Sequence, residues 1–237
     1  MPRLTLGELN IDVVYKDIKH LHLSVYPPNG KVRISAPERF DLDTIRIYAI
    51  SKLGWIRKQQ TKLDQQAREP ARDYINRESH FYLGRRFLLK ISEVEATPKV
   101  ILKHRILELR VRPGTSKRKK ETLLDEWYRK RLKETIPPMI QKWKRVLKIE
   151  VSSFGIKKMK TKWGSCNPRT GKIWLNLELA KKPMECLEYV TVHEMVHLLE
   201  KTHGERFSAL MDHYLPTWKL YKDQLNRWPL SHQTWSY

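Results

Sequence analysis

Cysteine is scarce in this chain. Only Cys166 and Cys186 occur among 237 residues, which excludes a disulfide scaffold and matches no four-cysteine zinc pattern. Long apolar runs are missing as well: no stretch approaches the roughly 20 consecutive apolar residues that a membrane helix needs, and Met1-Pro2-Arg3-Leu4-Thr5 lacks the apolar core of a secretory signal. These absences point to a cytoplasmic chain with reduced thiols and no membrane partner. Acidic residues are few beside basic ones, 26 against 47, and the net charge of +21 attracts polyanions such as nucleic acid, nucleotides or acidic proteins without naming one. Hydrophobic residues make up 40%, enough for one or two modest cores. No internal repeat or low-complexity tract is evident.

Apolar spacing indicates an α+β fold. Residues 20–26 and 31–36 alternate Leu21, Leu23, Val25 and Val32, Ile34, Ala36 with polar neighbours across Pro27-Pro28-Asn29-Gly30, which predicts a β-hairpin. From Asp43 the period turns helical through Ile45, Tyr48, Ile50, Leu53, Trp55 and Ile56, with a polar tail to Gln66, so one helix is expected on the hairpin. Residues 80–91, with a turn at Gly84, and residues 100–111 read as further strands. The stretch 112–120 (RPGTSKRKK) is basic and nearly free of apolar residues, and is expected to link an N-terminal β-rich subdomain (1–111) to a second domain (121–237) of helices and a small sheet. Residues 121–147 regain helical spacing, and Pro137-Pro138 should divide them into two helices. Their many Lys and Arg residues suit either a solvated face or an anion-binding one.

Residues 190–199 read Val-Thr-Val-His-Glu-Met-Val-His-Leu-Leu. On a helix, His193 and His197 at i and i+4 share one face, so two imidazoles converge on one ion with Glu194 between them. Leu187, Val190, Met195, Leu198 and Leu199 supply an apolar surround, and Pro183 suits the first turn. Catalytic zinc takes three protein ligands and keeps one position for water. His203 is the best candidate for the third, but a continuing helix would carry it roughly 15 Å from His193, so the helix must end and the chain turn back. Thr202-His203-Gly204-Glu205 fits a capping box, which would place Thr202 at the N-cap and His203 in the first turn of a new helix, followed by Phe207, Leu210, Met211 and Tyr214 facing the core and a stop before Pro216. Glu205, Asp212 and His213 remain alternatives for the third ligand. The remaining histidines, His20, His22, His80, His104, His213 and His232, are expected at the surface or in packing.

Several segments together resemble the YgjP-like metallopeptidases, relatives of the SprT and WLM zinc peptidases: Lys162-Trp163-Gly164-Ser165-Cys166, Ile173-Trp174-Leu175-Asn176, the run Tyr189 to His197, and His203-Gly204-Glu205-Arg206-Phe207. Ser35-Ala36-Pro37, Trp55-Ile56 and Leu83-Gly84 add weaker matches. The resemblance implies a zincin-like metallopeptidase domain with one zinc ion per chain held by His193, His197 and His203, and a peptide or protein substrate. It also implies that residues 173–179 form a strand that holds an extended substrate beside the active-site helix. Metzincins share the histidine spacing, but Glu200 stands where their glycine belongs, and a gluzincin site fits less well than one with His203.

In the expected mechanism the ion acidifies a water toward pKa about 7, and Glu194 takes its proton as general base and passes it on. Trp163, Ser165, Trp174 and Asn176 are candidate substrate-binding residues, with packing or backbone bracing as the alternative roles for Trp163, Ser165 and Asn176. Two other functions suit the charge: zinc-dependent hydrolysis of nucleoside triphosphates, and nucleic-acid binding with a structural metal, DNA being held by the basic surface.

Overall fold

Period-two alternation in the first 36 residues builds a four-stranded sheet, larger than the hairpin expected. In the computed structural model, which describes residues 2–26, 30–65, 72–159 and 162–227, strands β1 (Arg3–Leu6), β2 (Leu9–Tyr15), β3 (His22–Tyr26) and β4 (Lys31–Ala36) lie in the order β1-β2-β4-β3. The expected hairpin is the antiparallel pair β3 and β4; its tip, 27–29, lies outside the described residues. β2 runs parallel to β4 and sets Ile11 and Val13 beside Val32 and Ile34 on the buried face. Asp41 caps α1 (Leu42–Ser51) by accepting the Thr44 N–H at 2.7 Å. The single helix expected here is two, because the chain leaves helical geometry at Lys52 before α2 (Leu53–Gln65). Ile45, Ala49 and Ile56 close this core.

A second sheet repeats the plan. β5 (Ser79–Tyr82), β6 (Arg85–Glu93), β7 (Lys99–Lys103) and β8 (Ile106–Val111) lie in the order β5-β6-β8-β7, again two hairpins joined through a parallel inner pair. Residues 100–111, expected as one strand, fold back at His104, whose φ of 43° makes the turn. Strand pairing constrains polarity alternation and turn positions far more than residue identity, so this repeat of topology leaves no legible repeat in the sequence.

α3 (Lys117–Leu147) follows, capped by Ser116, and runs through Pro137-Pro138 as one helix where two were expected. Each internal proline costs about 3 kcal/mol. Ile136, Ile140, Trp143 and Leu147 bury against the same core as Leu124, Tyr128 and Leu132, at about 1.5–3 kcal/mol per side chain, which outweighs the break and holds both halves in line.

The chain divides into two compact units between Glu69 and Pro70, ahead of the boundary expected at residues 112–120. Part of that basic stretch is the first turn of α3. α3 packs Leu124, Tyr128 and Leu132 into one core with Phe87, Leu89, Leu107 and Leu109 of the second sheet, and the Tyr128 hydroxyl donates to the Phe81 carbonyl at 2.8 Å. A domain boundary there would cut through buried apolar surface.

The rest of the second unit carries β9 (Ser153–Lys157), β10 (Gly164–Asn167) and β11 (Lys172–Asn176), in the order β10-β11-β9. A 3-10 turn (Leu177–Lys181) leads into α4 (Met184–Val196), followed by α5 (Glu205–Tyr214) and α6 (Trp218–Arg227). The Leu83-Gly84 turn docks on that entry, with backbone N–H groups donating to the Ala180 and Lys181 carbonyls at 2.9 and 3.3 Å. The fold is α+β, and among the described residues no helix is long and apolar enough to cross a membrane.

Candidate active site

α4 is buried on nearly every side: Cys186, Leu187, Tyr189, Val190, Thr191, Val192, Glu194, Met195 and Val196 are all enclosed, as an apolar helix at the centre of a core should be. It ends at His197. The N–H groups of Leu198, Leu199 and Glu200 reach back to the carbonyls of Met195 and Val196, which tightens the last turn. The Glu200 carboxylate then accepts the Thr202 N–H at 3.1 Å and its hydroxyl at 3.0 Å. These bonds fold the chain back and return His203 to the helix face that carries His193 and His197. The capping box expected at Thr202 does not form, because Glu200 already holds that hydroxyl. α5 starts instead at Glu205, with Gly204 at the N-cap and no side-chain cap, so His203 precedes the helix.

The three imidazoles meet. His203 Nε2 lies 2.9 Å from His193 Nε2 and 3.1 Å from His197 Nε2. Tetrahedral zinc with Zn–N bonds near 2.05 Å would set ligand nitrogens roughly 3.4 Å apart, so the donor set fits such an ion after shifts of a few tenths of an ångström. His197 Nδ1 lies 3.0 Å from the Glu200 carbonyl; a proton there leaves the Nε2 lone pair free for a cation. Burial, then the charges of His197, His203 and Lys222, push the His193 pKa down to about 3, and burial first also lowers that of His203. Both rings are therefore held neutral, as ligation requires. The Phe207 ring backs all three, with centroids 4.9, 4.8 and 4.8 Å from those of His193, His197 and His203. Among the described residues, His193, His197 and His203 are the group able to hold a metal; Glu205, Asp212 and His213 do not join it.

Glu194 is 5% exposed, and burial raises its pKa to about 7 against the opposing pull of the Lys162 charge. It lines the same cleft as the triad, a space of about 610 Å³ whose walls include Trp163, Ser165, Cys166, Tyr189, Val190 and Leu225. Burial and the Glu194 charge hold the Cys166 thiol up at about 11, so it stays protonated.

The four candidate substrate-binding residues fall into two pairs. Trp163 and Ser165 line the cleft. Trp174 does not: it alternates with buried Ile173 and Leu175, lies over Gly155, and stands between the Lys157 and Lys172 ammonium groups, 4.7 and 4.4 Å from its ring. Asn176 is 4% exposed and braces backbone. It donates to the Met159 and Lys162 carbonyls at 2.9 and 2.8 Å, and its Oδ1 accepts the Met159 and Glu178 N–H groups.

Residues 173–179, expected as a substrate-holding strand, split between β11 and the 3-10 turn, and β11 is the middle strand of its sheet. Both of its edges are bonded, to β10 and to β9, so it has none to offer. Of the two edge strands, β9 and β10, it is β10 whose Gly164, Ser165 and Cys166 wall the cleft. Tyr189 entered the sequence reading only within the matched run, and Pro168, Lys201, Lys222, Leu225 and Asn226, which also line the cleft, did not enter it. Tyr189 had a signal, standing four residues before His193 on the same helix face. Lys222 had none, because α6 reaches the cleft only through tertiary packing.

The family model described as YgjP-like, metallopeptidase domain, matches residues 19–228. Among solved structures the chain is similar to the crystal structure of the metallopeptidase zymogen of Methanocaldococcus jannaschii jannalysin, at 26% identity over 38% of this chain and 95% of that one, with a TM-score of 0.34. A comparison with curated proteins finds no match.

Proposed function

Because this chain belongs to the YgjP-like metallopeptidases, we propose that it cleaves peptide bonds with one zinc ion held by His193, His197 and His203 and with Glu194 as general base. One observation carries the reading: the Nε2 atoms of His193 and His197 lie 2.9 and 3.1 Å from that of His203, beside a buried carboxylate, in a cleft walled by an edge strand. When bound, zinc supplies Lewis acidity and brings the pKa of a water toward about 7.

The chain's own residues supply the rest. The free edge of β10 pairs with an extended peptide through main-chain hydrogen bonds, in the manner of strand addition. Trp163 and Tyr189 shield the scissile bond from bulk water. Glu194, kept out of solvent and with its pKa near neutrality, takes a proton from the attacking water and delivers it to the leaving amine. The Glu200 carbonyl orients His197, and Phe207 fixes the planes of all three rings.

The test is Glu194→Gln on a mixed peptide library and on nucleoside triphosphates, with zinc content measured in parallel. The variant should keep its zinc and lose at least about a hundredfold in peptide turnover, the scale of general-base catalysis. Full turnover by the variant, or turnover of triphosphates alone by the native chain, would overturn the assignment.

A further inference from the structure

We propose that this cleft selects acidic peptides, with Lys162, Lys201 and Lys222 forming a cationic rim that receives carboxylate side chains flanking the scissile bond. The substrate class rests on the peptidase reading above. The three lysines come from three places in the fold: Lys162 just ahead of β10, Lys201 in the turn between α4 and α5, and Lys222 on α6. All three are exposed and line the cleft. Among the described residues the one acid lining it is Glu194, which is buried.

Several lysines elsewhere in this unit are neutralised at short range. Lys158 pairs with Glu121 at 2.8 Å and with Asp125, Lys142 with Glu188 at 2.7 Å, and Lys219 with Asp212 at 3.1 Å. Among the described residues no carboxylate lies within 4.0 Å of the ammonium groups of Lys162, Lys201 or Lys222. The contrast is sharpest on α6, where Lys219 is paired and Lys222, one turn on, faces the cleft over the Trp218 ring at 5.4 Å. A cationic cleft in a chain of net charge +21 concentrates anionic ligands and repels basic ones.

The chemistry of the rim favours carboxylates on a peptide over a phosphate chain. Compact phosphate sites use arginine forks or clustered backbone N–H groups, and no arginine lines the cleft among the described residues. Here single ammonium groups are spread over three elements, around apolar walls of Trp163, Tyr189, Val190 and Leu225 and along a strand edge. That spacing suits side chains displayed at intervals along an extended backbone.

The experiment uses the zinc-loaded full chain and three fluorogenic peptide sets of equal length, with glutamate, glutamine or lysine flanking the scissile bond. The native chain should prefer the glutamate set over the glutamine set in kcat/KM, by up to about fivefold for each rim lysine engaged, mainly through KM and decreasingly as salt is added. Lys201→Glu and Lys222→Glu should each lower that ratio, and together should turn the preference toward the lysine set. A ratio taken within one protein is insensitive to partial misfolding, and zinc content checks each variant. Equal cleavage of the glutamate and glutamine sets by the native chain, or a ratio unmoved in both variants, overturns the proposal while leaving the peptidase intact. Cleavage of no peptide, with triphosphates consumed instead, overturns the peptidase reading and the proposal with it.

Discussion

Gly164 makes room for Glu194. A Cβ at position 164 would stand 2.6 Å from Glu194 Oε1, 2.7 Å from its Cγ and 2.8 Å from its Cδ, all too close for real atoms. The glycine lets strand β10 lie directly against the carboxylate of α4, so the strand proposed to hold substrate and the residue proposed to move the proton are in contact. Gly164→Ala would force the Glu194 side chain to turn away. The variant should fold and bind zinc like the native chain but lose about a hundredfold in kcat/KM, the scale expected for a misplacement of about 1 Å. Native activity in that variant would mean that the position of this carboxylate does not matter.

Asn176 ties the segment before β10 to the sheet. Its side chain bonds the Met159 N–H and carbonyl and the Lys162 carbonyl, all from a buried position. Asn176→Ala strands these backbone groups, at about 1–3 kcal/mol for each one left buried and unpaired. Urea unfolding should show a loss of a few kcal/mol, and peptide turnover should fall as well, since Lys162 and Trp163 are the next residues along the wall. A variant as stable as the native chain would show that water replaces the amide without cost.

What the sequence discloses about this site follows the range of the interactions involved. His193 and His197 are legible because i and i+4 on a helix is a local relation, and the reach of a straight helix forces a turn before His203. The device that makes the turn is not legible: Thr202 has two acceptable partners, and only the folded chain shows that Glu200 takes it. Strand order is non-local, so nothing in residues 172–176 reveals that β11 is central and β10 the edge. Pro137-Pro138 and the basic stretch 112–120 mislead for a related reason. Local propensity argues for breaks at both, and burial of Leu124, Tyr128, Ile136 and Ile140 in one core overrides it.

Removing the third imidazole should separate metal binding from folding. His203 is exposed and precedes α5, so His203→Ala creates no cavity in the core. Loss of a direct ligand should weaken zinc affinity by more than the roughly 10–100-fold seen when outer partners of a ligand are lost. Metal analysis after dialysis against a weak chelator should find zinc well below one per chain, with secondary structure retained. Zinc should also raise the melting temperature of the native chain and not of the variant, since a ligand stabilises only the state that binds it. Equal zinc retention by both proteins would place the third ligand elsewhere.

His80 should make the second unit sensitive to acid. It is 4% exposed, and among the described residues its Nε2 has no hydrogen-bond partner. The Glu78 carboxylate is 3.7 Å away, a neighbour that favours the charged ring. Burial outweighs it, helped by the charges of Arg72 and Lys181, and pushes the pKa down to about 3. An unfolded chain takes up that proton near 6.5, so between about 3 and 6.5 the unfolded state binds more protons than the folded one. The stability is thus fully present above 6.5 and is lost progressively as the pH falls, by about 2 kcal/mol at pH 5. His80→Phe keeps a ring beside Tyr74, now 5.9 Å away between centroids, and removes the titration. His193 titrates in the same direction, so the comparison is between native and variant chains, both stripped of metal, by urea unfolding at pH 7 and pH 5. The native chain should lose about 2 kcal/mol more than the variant across that interval. Parallel losses would mean that His80 accepts its proton without leaving the folded state.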